Sequence, residues 1–345
     1  MLILMKKDAT PEEQGAVEDV IRSMGFEARA MPGEQRVAIG VVGNDRRVDD
    51  TPLRGMPGIH EIIHVSAPYK QVSREWKATP TVIELPNGTR IGGDELVVMA
   101  GPCAVESPEQ LLRTAAYVSA HGATVLRGGA YKPRTSPYAF QGLGREGLGI
   151  LAQARDQFGL AIITEAIDPE SADAVAEVAD VIQLGARNMQ NFALLKHVAR
   201  LGKPVLLKRG PSATIKEWLL AAEYLLAEGN EQVMLCERGI RSFDDATRNV
   251  MDVTAVPLVR QLSHLPVVAD PSHATGRRDM VRPVAAASVA AGAHALIVET
   301  HPEPRRALSD GPQALTPDDF EALMREVGAV AAALGRSVAS RGAKG

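Results

Sequence analysis

From residue 96 onward, short apolar runs alternate with longer segments in which Ala and Leu recur at helical spacing. The apolar runs predict β-strands at residues 96–100, 124–127, 161–165, 181–184, 205–208, 232–236, 267–269 and 295–299. The segments between them predict helices, for example 215–226 and 283–291, and most of these end at a glycine just before the next strand. About eight such units in ~240 residues match a (β/α)8 TIM barrel, whereas a doubly wound open sheet rarely needs that many.

The first part of the chain, to about Trp76, follows a different order of elements. Its apolar runs predict strands at residues 1–5, 36–42 and 59–65. A helix begins at Thr10-Pro11 and ends at Gly25, between the first two of these runs. The order of strand, helix, strand, strand, helix or loop, and strand is typical of a small ferredoxin-like sandwich.

Between the two parts, Pro86-Asn87-Gly88 separates two short apolar segments and predicts a hairpin. We therefore predict an α/β protein with two domains. Residues 1–76 form the ferredoxin-like domain, and residues 77–345 form the barrel together with its N-terminal hairpin. Aromatic content is only 4%, so the core is built from Val, Ile, Leu and Ala, which suits buried parallel strands.

The composition narrows the class of protein. A net charge of −4 gives no reason to expect nucleic acid or a membrane surface as a partner. Two cysteines are too few for a disulfide framework and indicate a reducing compartment. The N-terminus lacks the apolar stretch of a signal peptide, and no window is long enough for a membrane span. We expect a soluble cytoplasmic protein.

Cations follow the ends of the predicted strands, where the active site of a TIM barrel lies. They are Arg127, Lys132, Arg134, Arg187, Lys208 and Arg238. Any one of them alone would be read as a solvated loop residue. Together, at one rim of an acidic protein, they repel each other unless an anionic ligand offsets the charge. The pattern favours a substrate with several phosphate or carboxylate groups.

A second set of residues could bind a metal ion at the same rim. Its members are Cys103, His273, Glu299 and Asp310. They follow strands one, seven and eight of the predicted barrel, which are neighbours once the barrel closes. One thiolate, one imidazole and two carboxylates suit Mn²⁺, Fe²⁺, Co²⁺ or Zn²⁺, and this mixed set does not choose among them. Cys236 lies inside a predicted strand and is assigned to the core.

Six motifs resemble those of the 3-deoxy-D-arabino-heptulosonate 7-phosphate (DAHP) synthases, of the subtype with an N-terminal ferredoxin-like regulatory domain. They are Gly101–Ser107 (GPCAVES), Arg127–Pro137 (RGGAYKPRTSP), Gly185–Asn191 (GARNMQN), Lys208–Gly210 (KRG), Cys236–Gly239 (CERG) and Asp270–Gly276 (DPSHATG). The motifs span the whole predicted barrel in the family's order. The resemblance implies condensation of phosphoenolpyruvate with D-erythrose 4-phosphate and water, which gives DAHP and phosphate. This is the first step of the shikimate pathway to the aromatic amino acids.

The resemblance also implies which residues bind each substrate. The phosphate and carboxylate of phosphoenolpyruvate would be held by Arg127, Lys132, Arg187, Lys208 and Arg238. The phosphate of erythrose 4-phosphate would be held by Arg134 and Thr135.

One divalent ion on Cys103, His273, Glu299 and Asp310 is implied to polarise the aldehyde. Glu165 would position the attacking water. Lys132 is the candidate proton donor to the forming alkoxide, and a water held by the metal ion is the alternative.

Two other functions remain open at the level of sequence. The sister family makes 3-deoxy-D-manno-octulosonate 8-phosphate (KDO8P) from arabinose 5-phosphate. It carries Lys-Ala-Asn-Arg-Ser-Ser where this chain has Lys132-Pro133-Arg134-Thr135-Ser136, so the resemblance points to the four-carbon aldose. Some sister enzymes have Asn in place of Cys103 and lack metal. A catalytically silent barrel is the third hypothesis, and it would have no need to keep every candidate ligand and cation.

The resemblance assigns regulation to the first domain. Tyrosine or phenylalanine would bind there as an end product and inhibit the barrel, whereas the simpler interpretation is a domain that covers apolar surface or builds an interface. The resemblance also favours a homo-oligomer, specifically a tetramer.

Overall fold

The computed structural model describes residues 1–33, 36–43, 48–63, 68–134 and 136–340. The chain divides into two compact units, Met1–Ala78 and Thr79–Gly345, and each has its own hydrophobic core.

The first unit is a four-stranded antiparallel sheet with one long helix. Its elements are β1 (Leu2–Met5), α1 (Pro11–Ser23), β2 (Glu27–Pro32), β3 (Val37–Val42) and β4 (Ile59–Ile63), and the strand order is β2-β3-β1-β4. Thr10 and Glu13 form a reciprocal capping box at the start of α1, which satisfies two backbone donors there. Val17 and Ile21, four residues apart on α1, are fully buried in the core of the sheet.

This unit has the predicted ferredoxin-like order, with differences in two elements. The strand predicted at 59–65 ends at Ile63, and residues 64–65 lie outside the described residues. The element given as helix or loop contains a single 3-10 turn at Thr51–Leu53. No apolar run marks β2, because this edge strand buries none of its side chains fully.

The second unit is a closed barrel of eight parallel strands, as predicted. The strands are β7 (Val97–Gly101), β8 (Val125–Arg127), β9 (Ala161–Ala166), β10 (Val181–Leu184), β11 (Val205–Lys208), β12 (Val233–Glu237), β13 (Val267–Ala269) and β14 (Ala295–Glu299). The helices are α2 (Pro108–Ala120), α3 (Arg145–Phe158), α4 (Pro169–Val178), α5 (Phe192–Arg200), α6 (Ile215–Ala227), α7 (Ala255–Leu262), α8 (Pro271–Thr275), α9 (Arg278–Ala290) and α10 (Pro317–Ala333).

The hairpin before the barrel consists of β5 (Ile83–Glu84) and β6 (Arg90–Ile91). Ile83 and Ile91 belong to the same buried cluster as the side chains inside the barrel. Asn87, in the turn, donates hydrogen bonds from Nδ2 to the backbone oxygens of Thr124 and Gly159, which precede β8 and β9. The hairpin therefore closes the amino-terminal end of the barrel, opposite the predicted active site.

Two details of the sequence prediction can be compared directly with the barrel. Cys236 is fully buried in the core, as predicted. The helix predicted at 283–291 was placed wrongly at its start, because α9 begins at Arg278 and contains Pro283 in its interior. Proline is usually found at the first position of a helix, where its missing N–H costs nothing, so the sequence predicts a helix that begins at Pro283. Among the described residues, no helix combines the length and apolar character needed to cross a membrane.

Candidate active site

The residues predicted at the strand ends lie at the carboxyl end of the barrel. Arg127, Lys208 and Glu299 are the last residues of β8, β11 and β14. A cavity of about 570 Å³ opens at this end, and we call it the mouth cavity. Its lining includes Arg127, Lys132, Arg134, Glu165, Arg187, Lys208, Arg238, Arg241, Arg248, His273 and Asp310. Thr135 lies outside the described residues.

The four candidate metal ligands come together, because β13, β14 and β7 are adjacent in the barrel. Cys103 Sγ and one carboxylate oxygen each of Glu299 and Asp310 lie within 4.8 Å of one another. His273 Nε2 lies 3.3 Å from Glu299 Oε1 and 3.9 Å from Asp310 Oδ2. We call these four residues the donor cluster.

The charge states within the donor cluster fit a cation. Burial would raise the pKa of Glu299, but nearby His273 and Arg127 outweigh it and lower that pKa to about 2. Burial raises the pKa of the Cys103 thiol to about 12, so the sulfur keeps its proton unless a cation replaces it. One sulfur, one imidazole nitrogen and two carboxylates are donors that divalent transition metals accept, and the bound ion replaces the thiol proton.

Lys132 lies beside the donor cluster. Its ammonium nitrogen Nζ donates to the backbone oxygen of Cys103 at 2.9 Å and lies 3.0 Å from Cys103 Sγ. The side chain is buried, with 7% of the residue exposed, although it still lines the mouth cavity. A proton-bearing group therefore stands between the sulfur and the cavity.

Asp270 joins a cation of the cavity to the donor cluster, a role that the sequence reasoning missed. Its Oδ2 lies 2.5 Å from Lys208 Nζ and 2.7 Å from His273 Nδ1. Its Oδ1 accepts a hydrogen bond from the backbone N–H of His273, which caps the short helix α8. Burial would raise the pKa of Asp270, but the neighbouring His273 and Lys208 hold it well below its usual range. The Asp-x-x-His spacing of the sequence was the available signal, since it places both side chains on one helical turn.

Three arginines of the mouth cavity have no carboxylate partner among the described residues. Arg238 is 8% exposed and forms no ion pair within the described part of the chain; burial lowers its pKa. Arg134 donates from Nε to the backbone oxygen of Phe140, but its buried Nη2 has no hydrogen-bond partner among the described residues. Arg187 is exposed, and its one hydrogen bond to the described part of the chain is donated to the backbone oxygen of Pro133. Buried, unpaired guanidinium groups are costly, so these side chains indicate a site for anions.

The carboxylate of Glu165 lies against the backbone that follows the next strand, in space that a side chain at Gly185 would take. A Cβ atom at Gly185 would lie 2.0 Å from Glu165 Oε1. Gly185 follows β10 and begins the Gly-Ala-Arg-Asn motif. The glycine thus makes room for the carboxylate beside the mouth cavity, which both residues line.

Sequence reasoning also missed the cations of the loop after β12. Arg241 and Arg248 both line the mouth cavity. The start of this loop is fixed by Arg209, whose NH1 lies 2.8 Å from both Glu237 Oε2 and Asp252 Oδ2. Three arginines within this one loop were the signal that could have identified the group.

Comparisons with known proteins agree for both units. The sequence profile described as the DAHP synthetase I family matches residues 79–334, and the profile described as the DAHP synthase ferredoxin-like domain matches residues 1–67. Phospho-2-dehydro-3-deoxyheptonate aldolase of Thermotoga maritima is 47% identical over 98% of this chain and 100% of its own length. The 2-dehydro-3-deoxyphosphooctonate aldolase of Stenotrophomonas maltophilia K279a is 36% identical and matches 69% of this chain and 92% of its own length.

Solved structures give the same result. The crystal structure of the Thermotoga maritima DAHP synthase covers 98% of this chain and 99% of its own, with a TM-score of 0.79. A truncated form of the Thermotoga maritima enzyme is 49% identical and covers 78% of this chain and 98% of its own, with a TM-score of 0.73. The chain therefore belongs to the DAHP synthetase I family, whose DAHP synthases condense phosphoenolpyruvate with erythrose 4-phosphate.

Proposed function

We propose that the mouth cavity condenses phosphoenolpyruvate with D-erythrose 4-phosphate and water to give DAHP and phosphate. The observation that carries this proposal is that arginines without a carboxylate partner among the described residues line the same cavity as His273 and Asp310 of the donor cluster. The two substrates bring two phosphates, one carboxylate and one aldehyde. Guanidinium groups bind the first three, and a Lewis acid activates the fourth.

Phosphoenolpyruvate would occupy the inner part of the cavity. The side chains assigned to its phosphate and carboxylate are Arg127, Lys132, Arg187, Lys208 and Arg238. Most of them are buried, which supports the assignment, because charge-assisted hydrogen bonds are stronger where water is excluded.

Erythrose 4-phosphate would place its phosphate on Arg134 and Thr135. The unpartnered Nη2 of Arg134 supports this assignment, since a phosphate oxygen would supply the missing acceptor. The aldehyde end of the aldose would then reach toward the donor cluster.

Cys103, His273, Glu299 and Asp310 would hold one divalent ion of Mn, Fe, Co or Zn. When bound, the ion supplies Lewis-acid activation of the aldehyde oxygen.

Proton transfers in the reaction fall to two residues. C3 of phosphoenolpyruvate forms the new bond to the aldehyde carbon, while water adds to C2 and loses a proton. Glu165 orients that water and accepts the proton it loses, and Gly185 leaves the space for the carboxylate. Lys132 donates a proton to the aldehyde oxygen as it becomes a hydroxyl, and its position beside Cys103 supports this role. The hemiketal that results then loses phosphate.

An assay with two aldoses tests this proposal. Purified protein should release phosphate from phosphoenolpyruvate with erythrose 4-phosphate, and the product should be DAHP. Arabinose 5-phosphate, the substrate of the KDO8P alternative, should give a kcat/KM at least about a hundredfold lower. A preference for arabinose 5-phosphate would overturn the assignment.

The ferredoxin-like unit is proposed to regulate the barrel by binding tyrosine or phenylalanine. It contains none of the residues assigned above to the reaction. A bound amino acid can inhibit only if it binds more tightly to an inhibited arrangement than to the active one. The protein is further proposed to be a homotetramer in the cytoplasm. Light scattering, which measures the mass of the assembly, tests the oligomeric state.

Deletion of residues 1–73 tests the regulatory proposal. The truncated protein should retain turnover and should no longer respond to either amino acid. If the full-length protein ignores both amino acids at millimolar concentration, the unit is structural and regulation by aromatic end products is wrong.

A further inference from the structure

The two carboxylates of the donor cluster are each held at one oxygen by residues outside the cluster. Glu299 Oε2 accepts a hydrogen bond of 2.6 Å from Gln313 Nε2, and Asp310 Oδ1 lies 3.4 Å from Arg248 NH1. The other oxygens, Glu299 Oε1 and Asp310 Oδ2, are those that approach His273 Nε2. One oxygen of each carboxylate is therefore engaged away from His273, and the other faces it; for Glu299 the facing oxygen, Oε1, also accepts a hydrogen bond of 2.5 Å from Arg127 Nη1.

Hydrogen-bond chemistry fixes the orientation of the Gln313 amide. Arg248 NH1 lies 3.1 Å from Gln313 Oε1, and a guanidinium group only donates. The amide oxygen must therefore face Arg248, which directs the NH₂ group to Glu299. The NH₂ group then lies 2.6 Å from Glu299 Oε2, so one orientation of the amide satisfies both contacts. Gln313 is 2% exposed, and water does not compete for these bonds.

Backbone contacts bring Arg248 to the cluster. The N–H of Arg248 donates to Thr275 O at 3.0 Å, and that of Asn249 donates to Ala274 O at 2.8 Å. Asn249 Nδ2 also donates to the backbone oxygen of His273 at 3.1 Å. The segment that carries Arg248 is thus bonded to helix α8, which carries the histidine of the cluster.

The position of Asp310 also depends on this contact. With φ of 50°, it is the one described residue other than glycine in the left-handed region. This conformation costs free energy for a residue with a side chain, and surrounding contacts have to maintain it. Asp310 O accepts from the backbone N–H of Gln313 at 3.2 Å, and Arg248 holds the side chain.

We propose that Gln313 and Arg248 are positioning residues of the metal site, which hold Glu299 and Asp310 so that each offers a single oxygen to the ion. The inference rests on the proposed function, since it concerns the same site. Restricting two carboxylates to one oxygen each keeps the number of protein donors at four. Bidentate carboxylates would raise that number and fill positions that the aldehyde substrate needs.

Titration of the metal-free protein with Co²⁺ tests this inference without an activity assay. A chelating dye as competitor gives the dissociation constant, and the visible spectrum reports both the sulfur ligand and the coordination number. Gln313→Met keeps the size of the side chain and removes the donor to Glu299. It should raise the dissociation constant ten- to a hundredfold, as loss of outer-shell partners of metal ligands does. The ligand-field bands should weaken as the second Glu299 oxygen becomes available.

A second variant and a control accompany it. The Arg248 side chain is 41% exposed, so Arg248→Met can be made without opening the core, and it should raise the same constant at least about threefold. Gln71→Met is the matched control: Gln71 is also buried and accepts a hydrogen bond from Arg29 NH1 in the ferredoxin-like unit. The dissociation constant of Gln71→Met for Co²⁺ should equal that of the unchanged protein.

The outcomes separate this inference from the proposed function. If the unchanged protein shows the sulfur-to-metal band, but Gln313→Met shifts the constant less than tenfold or leaves the bound spectrum unaltered, the positioning role is wrong and the metal site stands. A shift of less than threefold for Arg248→Met overturns the part assigned to the arginine. If the unchanged protein binds Co²⁺ without a sulfur band, the metal site itself is wrong, and the inference fails with it.

Discussion

Two groups of charged residues at the mouth cavity differ in how their charge is compensated. In the first, which we call the metal group, Arg127 and Lys208 form ion pairs with Glu299 and Asp270. In the second, the anion group, Arg134, Arg187 and Arg238 have no carboxylate partner within the described residues. Lys208 is 4% exposed and Arg238 is 8% exposed, so burial does not distinguish them.

The difference separates cations whose charge is compensated within the fold from cations whose charge only a ligand would compensate. A buried ion pair offsets its own desolvation, and the free energy of unfolding falls if one partner is removed. A buried cation without a partner reduces stability, and its presence is explained by a ligand that supplies the charge. Substitutions in the metal group should therefore lower the free energy of unfolding, and substitutions in the anion group should weaken substrate binding.

The largest expected effect comes from the donor cluster, which shares Glu299 with the metal group. Chelation should abolish turnover, and Cys103→Ala should bind little metal while remaining folded, because the sulfur ligand is lost. Turnover after chelation and re-addition of metal is the measurement. Cys236→Ala is the matched control, since that cysteine is buried in the core, and it should recover with metal. Wild-type activity of chelated Cys103→Ala would disprove the metal assignment.

The free energy of unfolding tests this difference between the two groups directly. Lys208→Met leaves the buried Asp270 carboxylate without its lysine and should lower the free energy of unfolding by about 3 kcal/mol. Arg238→Met removes an equally buried cation that has no partner and should change it by less than ~1 kcal/mol, or increase it. Denaturant titration of the metal-free proteins compares the two. Equal losses would show that Arg238 is part of the fold's charge balance.

A smaller effect is expected for the aldose. Arg134→Ala should raise the KM for erythrose 4-phosphate about thirtyfold, the equivalent of ~2 kcal/mol, because a charge-assisted phosphate contact is lost. The KM for phosphoenolpyruvate should change less than about threefold. Arg145→Ala, an exposed arginine at the start of α3, serves as the control. Similar changes in both KM values would remove the assignment of Arg134.

The smallest effect should come from the exposed member of the anion group. Arg187 is solvated, so its contact with phosphoenolpyruvate is weaker than that of Arg238. Arg187→Ala should raise the KM for phosphoenolpyruvate about fivefold, and Arg238→Ala at least about thirtyfold. Steady-state kinetics at saturating erythrose 4-phosphate measure both. The reverse order would show that burial does not determine the strength of these contacts.

The barrel could be predicted from sequence because its strands are buried on both faces. Most of their residues are apolar, and the ends of β10 and β11 agree with the prediction at both termini. Strand β2 could not be found in this way, because its side chains are only partly buried and its partner is set by sheet pairing. The start of α9 could not be predicted for a different reason: Pro283 is of a residue type that usually begins a helix, but here it lies within one.

The members of the site could be named from sequence, but their partners could not. Residue type and position after a strand were sufficient to select Arg127, Lys208 and Glu299. The pairing of Lys208 with Asp270 depends on the closure of the barrel, which joins segments 62 residues apart. Gln313 lies in a 3-10 turn without any motif, and its role follows only from the atoms around Glu299.

Calorimetric titration of phosphoenolpyruvate into metal-free protein tests most directly whether the two groups act independently. Chelated protein, although inactive, should bind phosphoenolpyruvate with a dissociation constant within about threefold of that of the metal-loaded protein. The reason is that the unpaired cations need no metal ion to bind anions. A loss of affinity of tenfold or more on removal of the metal would contradict the account. It would mean that the anion group is not formed without the ion.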